Sequence, residues 1–337
     1  MNLEPIDPQT AVELYLTDRE DELRRTTINA HRSRLRHFVR WCEEQGITNL
    51  NGLTGRKVHE FRIWRREERD LTTSTMRTQM ATLRVFLRWL ARIDGVEPDL
   101  HEKVRVPTIQ RGEHSRGAVI TRESAEQMLA YLEKYEYASR DHVVIAVLWH
   151  TMIRAGGLRA LDLEDYKQDE QFLSLVHRPD SGTQLKNGAS GQRLVSLSED
   201  VCMILDDYIA HRRKDATDEH GRRPLATTRN GRISPGAIRK TCYSWSRPCA
   251  VGLDCPHGRE PDECEAAVRS NEASKRPSSE GSHAFRRGGI THYLSNDVPQ
   301  EVVSNRANVS ADILEKHYDE RSAKKRMEQR RQYLGNI

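Results

Sequence analysis

The feature that most restricts the fold is a run of four stretches with helical periodicity in the first hundred residues. They are DPQTAVELYLTDR, TINAHRSRLRHFVRWCEEQ, TGRKVHEFRIWRREER and TTSTMRTQMATLRVFLRWLARID. In the last stretch Leu83, Phe86, Leu87 and Leu90 form one apolar stripe, which is the pattern of a helix that packs against a core. The stretches therefore predict an all-helical domain over residues 1–105.

The same helices carry arginine-rich faces. Residues 24–40 contain six arginines and no acidic residue, and residues 71–92 again contain arginines and no acidic residue. Guanidinium groups donate directed hydrogen bonds to phosphate, so these faces are predicted to bind nucleic acid. The predicted contacts are Arg32, Arg36, Arg77, Arg84 and Arg88. The alternative is that each face is simply the solvated side of a surface helix.

The rest of the chain is mixed in character. Residues 106–119 are polar, with a proline and glycines, and are predicted to link two domains. In residues 120–337 helical stretches surround two alternating segments, QFLSLVHRP and QRLVSLS, which predict two strands joined by a turn-rich loop. The expected class is α+β, with a helical first domain followed by a mainly helical second domain that holds a small antiparallel sheet.

Composition excludes some classes of protein. The 337 residues exceed what one core usually holds, so two domains are expected. No apolar run approaches about 18 residues, so we expect no membrane span. The first ten residues, MNLEPIDPQT, do not resemble a secretory leader. We therefore expect the protein to work in the cytoplasm.

Several residues suit the transfer of a phosphodiester bond without a metal. Arginines would bind the phosphate oxygens, a phenol could attack phosphorus, and an acid would protonate the leaving oxygen. The candidates are Arg154, Lys186, His283, Arg286 and Tyr318. Taken singly, H-x-x-R is more often a basic helix start on a solvated surface. Tyr293 is the competing candidate for the nucleophile.

One segment resembles the first arginine motif of the tyrosine recombinases of the phage-integrase type, and most closely that of their archaeal members. The family pattern is T-G-x-R-x-x-E-L-x-x-L-x-x-x-D, and this chain has TMIRAGGLRALDLED. Matching positions are Arg154, Leu158, Leu161 and Asp165. Met152 and Gly157 replace the usual Gly and Glu, so this arginine is expected to be braced differently.

Three further segments follow in the order found in that family. LKNGASGQRLVSL resembles the hairpin that carries the family's lysine, here Lys186. HAFRRGGITHYL resembles the H-x-L-R-H box and supplies His283 and Arg286, and SADILEKHYDE resembles the helix with the nucleophile, Tyr318. Arg306 falls where the family has a His or Trp, and it is either a substitute phosphate ligand or an ordinary surface residue.

The resemblance implies a helical core-binding (SAM-like) domain and a catalytic domain with the DNA breaking-rejoining fold. It implies that Tyr318 forms a 3′-phosphotyrosyl bond, that Arg154, Arg286 and Arg306 stabilise the transition state, and that Lys186 and His283 move protons. No cofactor is expected for catalysis. The expected partner is double-stranded DNA, with four protomers acting on two paired sites. The alternative is a DNA-binding regulator that does not cut.

A second cluster of candidate ligands lies in residues 249–264, CAVGLDCPHGREPDEC. Three thiolates and an imidazole could form a tetrahedral zinc site that staples a polar insertion. The predicted ligands are Cys249, Cys255, His257 and Cys264. A cytoplasmic chain argues against disulfides, and the alternative is a loop with incidental thiols.

Overall fold

The protein is described from a computed structural model. It describes residues 3–68, 71–108, 118–275, 278–317, 327–328 and 331. The chain separates into two compact units, Met1–Gly117 and Ala118–Ile337. The division falls within the segment 106–119, which the sequence predicts to be a linker.

The first unit is helical, as its periodicity predicts. Its four α-helices are α1 (Pro8–Asp18), α2 (Arg25–Glu44), α3 (Gly55–Glu67) and α4 (Thr73–Arg92). Short 3-10 turns follow α2 and α4, at Leu50–Gly52 and Leu100–Lys103. Helix α4 begins after Thr72, whose hydroxyl accepts a hydrogen bond from the Thr75 amide at 3.2 Å, so a side chain caps the helix start.

The core of this unit forms from the apolar stripes of all four helices. On α4 the residues of the predicted stripe are buried together with Met80. Aromatic rings from α1 and α2 meet the stripe, since Tyr15 and Phe38 each pack edge-on against Phe86, and Phe61 of α3 packs edge-on against Phe38. The opposite sides of α2 and α4 therefore stay available for the arginines.

The second unit is mainly helical. Its helices are α5 (Arg122–Tyr135), α6 (Arg140–Thr151), α7 (Ala155–Ala160), α8 (Glu199–Asp207), α9 (Pro235–Trp245), α10 (Glu265–Val268), α11 (Ser282–Ser295), α12 (Gln300–Ala307) and α13 (Ala311–His317). A π-helical turn, Tyr208–Arg212, extends α8. Shorter 3-10 turns are Leu163–Asp165, Gly188–Gly191, Pro248–Val251 and Ser270–Lys275. Helix α9 starts as predicted, with Ser234 as its cap and Pro235 in its first turn.

Two small antiparallel sheets complete this unit. The first has the order β1 (Tyr166–Lys167), β2 (Phe172–Leu175), β3 (Arg193–Ser196), and the second pairs β4 (Thr227–Thr228) with β5 (Gly231–Arg232). Strands β2 and β3 are the two that the sequence predicts, with Leu173 opposite Val195. The three strands of only two residues have no detectable alternation. The α+β class is confirmed.

Helix α6 is the centre of the second core. Its residues from Val143 to Trp149 are all at least 97% buried, and α5, α9 and α11 pack around it. Helix α11 approaches α6 through two adjacent glycines. A Cβ at Gly288 would lie 2.1 Å from the Ile120 carbonyl oxygen, and one at Gly289 would lie 2.7 Å from the Trp149 carbonyl oxygen. The pair of glycines therefore sets how closely α11 sits against α6 and against the segment that precedes α5.

A buried ion network fixes the base of the loop between β2 and β3. Asp162, which is 2% exposed, pairs with three guanidiniums, those of Arg178, Arg222 and Arg232. Arg222 also donates to the Thr183 hydroxyl at 2.8 Å and to the Ser181 carbonyl at 2.8 Å. The network thereby holds the start of the loop that carries Lys186.

Within the described ranges, no helix has both the length and the apolar character needed to cross a membrane.

Candidate active site

Arg154 lies at the junction between α6 and α7. Helix α6 is followed by Met152, which is buried and adopts a left-handed conformation (φ 55°), so the chain turns sharply out of the core. Arg154 then occupies the position before α7 and is half-buried. The family motif around this arginine usually has glycine at position 152, and a left-handed turn is where glycine is favoured.

Helix α11 brings two more predicted residues to the same place. Arg286 is 1% exposed, and its Nη1 donates a hydrogen bond to the carbonyl of Met152. His283 lies one turn earlier on the same helix and stays exposed. Because Arg286 holds the turn that leads into Arg154, the two predicted arginine motifs support each other.

Lys186 lies in the loop between β2 and β3. Its side chain is exposed, and the residues that follow form the 3-10 turn Gly188–Gly191. Lys186 lines one small pocket together with Arg154, Asn187, Arg193 and Asn308. The structure therefore brings the lysine motif and the first arginine motif together.

Arg193 is a residue of the site that the sequence analysis did not single out. Its Nε donates to the carbonyl of Arg306 at 2.9 Å, and its Nη1 donates to the carbonyl of Gly191 at 2.9 Å. A signal was present in β3: Arg193 shares a face with buried Val195, while Leu194 between them is 65% exposed. An arginine on the inner face and a leucine on the outer face invert the usual pattern.

Arg306 lies on α12 beside the site and is committed to protein acceptors. Its Nη1 donates to the Ser196 hydroxyl at 3.0 Å and its Nη2 to the His150 carbonyl at 3.0 Å. Its guanidinium also lies over the Tyr293 ring, 5.6 Å from the centroid. These hydrogen bonds use two of the five N–H groups of the guanidinium.

The electrostatics of this cluster favour an anion. Burial, followed by the guanidiniums of Arg286, Arg154 and Arg306, lowers the pKa of Arg193 to about 10. In the described ranges neither Arg193 nor Arg306 forms an ion pair with a carboxylate. Several cations held together in a partly buried place attract an anion such as phosphate.

His283 is held in its neutral form near pH 7. Partial desolvation is the largest cause that lowers its pKa, and the neighbouring cations Arg286, Arg287, Arg154 and Lys186 lower it further. A neutral imidazole can accept a proton, so His283 suits the role of a base.

Of the two tyrosine candidates for the nucleophile, the structure describes only Tyr293. Tyr318 lies outside the described residues. Tyr293 is half-buried, and its hydroxyl donates to the His150 carbonyl at 2.9 Å. This internal bond disfavours Tyr293 as the nucleophile.

The five predicted DNA-binding arginines fall into two groups. Arg36 and Arg88 are exposed and make no ion pair or hydrogen bond in the described ranges, and Arg32 is exposed with Glu13 4.0 Å away. Arg77 and Arg84, in contrast, donate to the carbonyls of Pro107 and Val104. These last two therefore also hold the end of the first unit, and Arg84 is half-buried rather than exposed.

The structure gives no support to the predicted zinc site. Among the residues that the structure describes, no group of three or more His, Cys, Asp or Glu side chains could hold a metal. Cys264 is 5% exposed where α10 begins, while His257 is exposed in a turn. The segment is fastened instead by Arg247, which is 8% exposed and donates to the carbonyls of Ser244 and Ala266.

Comparison with known proteins finds similarity to tyrosine recombinases and integrases. The profile described as phage integrase, N-terminal SAM-like domain matches residues 14–93. Tyrosine recombinase XerC 2 of Ralstonia nicotianae is 26% identical over 145 residues, which cover 41% of this chain and 41% of that protein. Tyrosine recombinase XerD of Shewanella oneidensis is 23% identical over 191 residues, 56% of this chain and 58% of that protein. The chain thus spans about half the length of these curated relatives.

A solved structure shows the fold. The integrase of the transposon Tn1549, in complex with a circular intermediate DNA, matches with a TM-score of 0.69 and 13% identity, over 97% of this chain and 99% of that chain. At this identity the likeness concerns the fold alone. It agrees with the DNA breaking-rejoining fold that the motifs imply.

Proposed function

Because this chain belongs to the tyrosine recombinase (integrase) family, we propose that it is a site-specific DNA recombinase that cuts and rejoins duplex DNA through a 3′-phosphotyrosyl intermediate. The observation that carries the proposal is the cluster of Arg154, Lys186, His283 and Arg286, whose residues come from three distant motifs. A DNA-binding regulator would need basic helices, but it would not need a neutral histidine and a lysine beside two arginines.

The proposed reaction conserves the energy of the phosphodiester bond. The phenol oxygen of Tyr318 forms a bond to phosphorus, and the bond from phosphorus to the 5′-oxygen breaks with its electron pair on that oxygen. Lys186 gives the 5′-oxygen its proton, and neutral His283 takes the phenol proton. Arg154 and Arg286 donate to the non-bridging oxygens, where charge accumulates. Arg306 remains a candidate third guanidinium. Rejoining is the reverse sequence, so no cofactor is consumed.

The deciding experiment traps the covalent intermediate on a suicide substrate, whose cut strand loses the fragment that bears the 5′-hydroxyl. We expect a protein–DNA adduct that survives denaturation, and no adduct from Tyr318→Phe, which should still bind the DNA. The matched control is Tyr293→Phe, which removes the competing phenol and should leave adduct formation near that of the parent. A parent protein that binds the site and forms no adduct would favour the regulator.

The assembly and the setting are also proposals. We propose that four protomers act on two paired sites, which light scattering of the protein on a two-site DNA would test as four chains per complex. We propose that the arginine faces of α2 and α4 bind the DNA backbone, since arginine forms directed bonds to phosphate. A DNA substrate leads us to place the protein in the cytoplasm.

A further inference from the structure

Asn308 occupies a strained position beside the site. It ends α12 in the left-handed conformation, with φ 48° and ψ 67°. Asparagine is one of the few residues besides glycine that tolerate this conformation. Glycine would adopt this backbone conformation just as readily, so the conformation does not by itself explain why the residue carries an amide side chain.

The Asn308 side chain bridges the turn that follows Lys186. Its Oδ1 accepts a hydrogen bond from Nδ2 of Asn187 at 3.2 Å, and its Nδ2 donates to the Ser190 carbonyl at 3.4 Å. It also packs directly over Gly191, where an added Cβ would lie 3.4 Å from Nδ2. One amide therefore holds both ends of the turn.

The Asn308 backbone holds the other side of the pocket. Its carbonyl oxygen accepts a hydrogen bond from Nη1 of Arg154 at 3.3 Å. Two residues before Asn308, the Arg306 carbonyl accepts a hydrogen bond from Nε of Arg193. Arg193 is the first residue of β3, directly after the loop that carries Lys186. The end of α12 thus joins the lysine loop to the first arginine.

We propose that Asn308 is a positioning residue for Lys186: it holds the lysine loop against Arg154, so that the ammonium can protonate the leaving 5′-oxygen. The inference rests on the proposed function and adds to it a residue that touches neither reacting oxygen. Exposed hydrogen bonds of this kind add little net stability, so we assign the bridge the role of fixing a loop whose lysine must be placed within a fraction of an ångström.

The test uses the full-length protein and two suicide substrates, one normal and one with sulfur in place of the bridging 5′-oxygen. Sulfur leaves without a proton, so it removes the need for the general acid. Asn308→Gly keeps the left-handed backbone and deletes the amide. We expect adduct formation to slow by roughly 10–10²-fold on the normal substrate and to match the parent on the sulfur substrate.

A double variant separates positioning of Lys186 from other effects. If Asn308 acts through the lysine, Asn308→Gly with Lys186→Ala should be no slower than Lys186→Ala alone, because the two changes remove one function. Equal slowing on both substrates, additive effects in the double variant, or no slowing at all would each overturn the proposal.

Two further variants serve as a control and as an alternative to Asn308→Gly. Asp297→Gly changes another exposed left-handed residue (φ 63°) and should react like the parent on both substrates. If Asn308→Gly does not fold, Asn187→Ala removes the other half of the bridge from an exposed turn and should show the same dependence on sulfur. A parent that forms no adduct on either substrate would instead contradict the proposed function itself.

Discussion

At the scale of single residues, Arg193 is the test of whether the cation cluster is functional. Its Nε and Nη1 donate to the carbonyls of Arg306 and Gly191, and its Nη2 makes no hydrogen bond in the described ranges. We expect Arg193→Lys to keep the charge but lose the fork-shaped contacts, and to slow adduct formation by about 10-fold, with Arg193→Ala about 10²-fold slower.

The measurement is the rate of adduct formation at saturating DNA, with DNA affinity measured separately. A control is Arg212→Ala, an exposed arginine on the π-helical turn. Equal rates for the parent and Arg193→Ala would mean that this guanidinium serves only the fold.

The sequence motifs predicted Lys186, His283 and Arg286 but not the residues that support them, for a physical reason. Lys186, His283 and Arg286 lie in short sequence motifs, and their residue types suit proton transfer and phosphate binding. Arg193 and Asn308 contact residues 113 and 121 positions away, and a local pattern carries no information about such partners. The zinc site stays a prediction, since the described residues contain no group of three or more side chains that could hold a metal.

At the scale of elements, the close packing of α11 against α6 and against the segment before α5 determines where His283 and Arg286 lie. We expect Gly288→Ala to lower the free energy of unfolding by about 1–3 kcal/mol, because its Cβ would meet a backbone oxygen that cannot move aside. Urea unfolding measures this. The matched control, Gly236→Ala on α9, meets only the Ser234 hydroxyl at 3.7 Å and should be neutral or slightly stabilising. Equal stability of the two variants would contradict the close packing.

Strand prediction at this scale succeeded where alternation was long enough to be seen. The four-residue strands β2 and β3 were predicted. Strands β1, β4 and β5 have two residues each, and only their pairing with a neighbouring strand defines them. The helices were predicted correctly from their periodicity because their apolar stripes are buried.

At the scale of the whole molecule, His142 should make the second unit sensitive to acid. It is 1% exposed, and burial, followed by His150, lowers its pKa to about 4. Above about pH 6.5 it is neutral in both states, so its contribution is complete. Between pH 6.5 and 4 only the unfolded state binds the proton, and the free energy of unfolding should fall by up to about 3 kcal/mol.

The comparison is urea unfolding from pH 7.5 to 4.5 of the parent and of His142→Asn. The asparagine does not titrate, and its oxygen can still accept the bond that Nδ1 receives from the Ala138 amide, 3.3 Å. We expect a shallower pH dependence for the variant. Parallel curves would assign the acid sensitivity to other groups.

The first unit should bind DNA through those arginines that the fold leaves unused. We expect Arg36→Ala with Arg88→Ala to flatten the plot of log binding constant against log salt by about two units of slope, with the largest loss of affinity at low salt. Stability should change by less than about 0.5 kcal/mol, since both side chains are exposed without partners in the described ranges. The matched pair, Arg77→Ala with Arg84→Ala, removes bonds to the carbonyls of Pro107 and Val104 and should lower the free energy of unfolding by about 1–3 kcal/mol. Salt plots of unchanged slope for the first pair would place the phosphate contacts on other basic residues, and unchanged stability for the second would remove the structural role of Arg77 and Arg84.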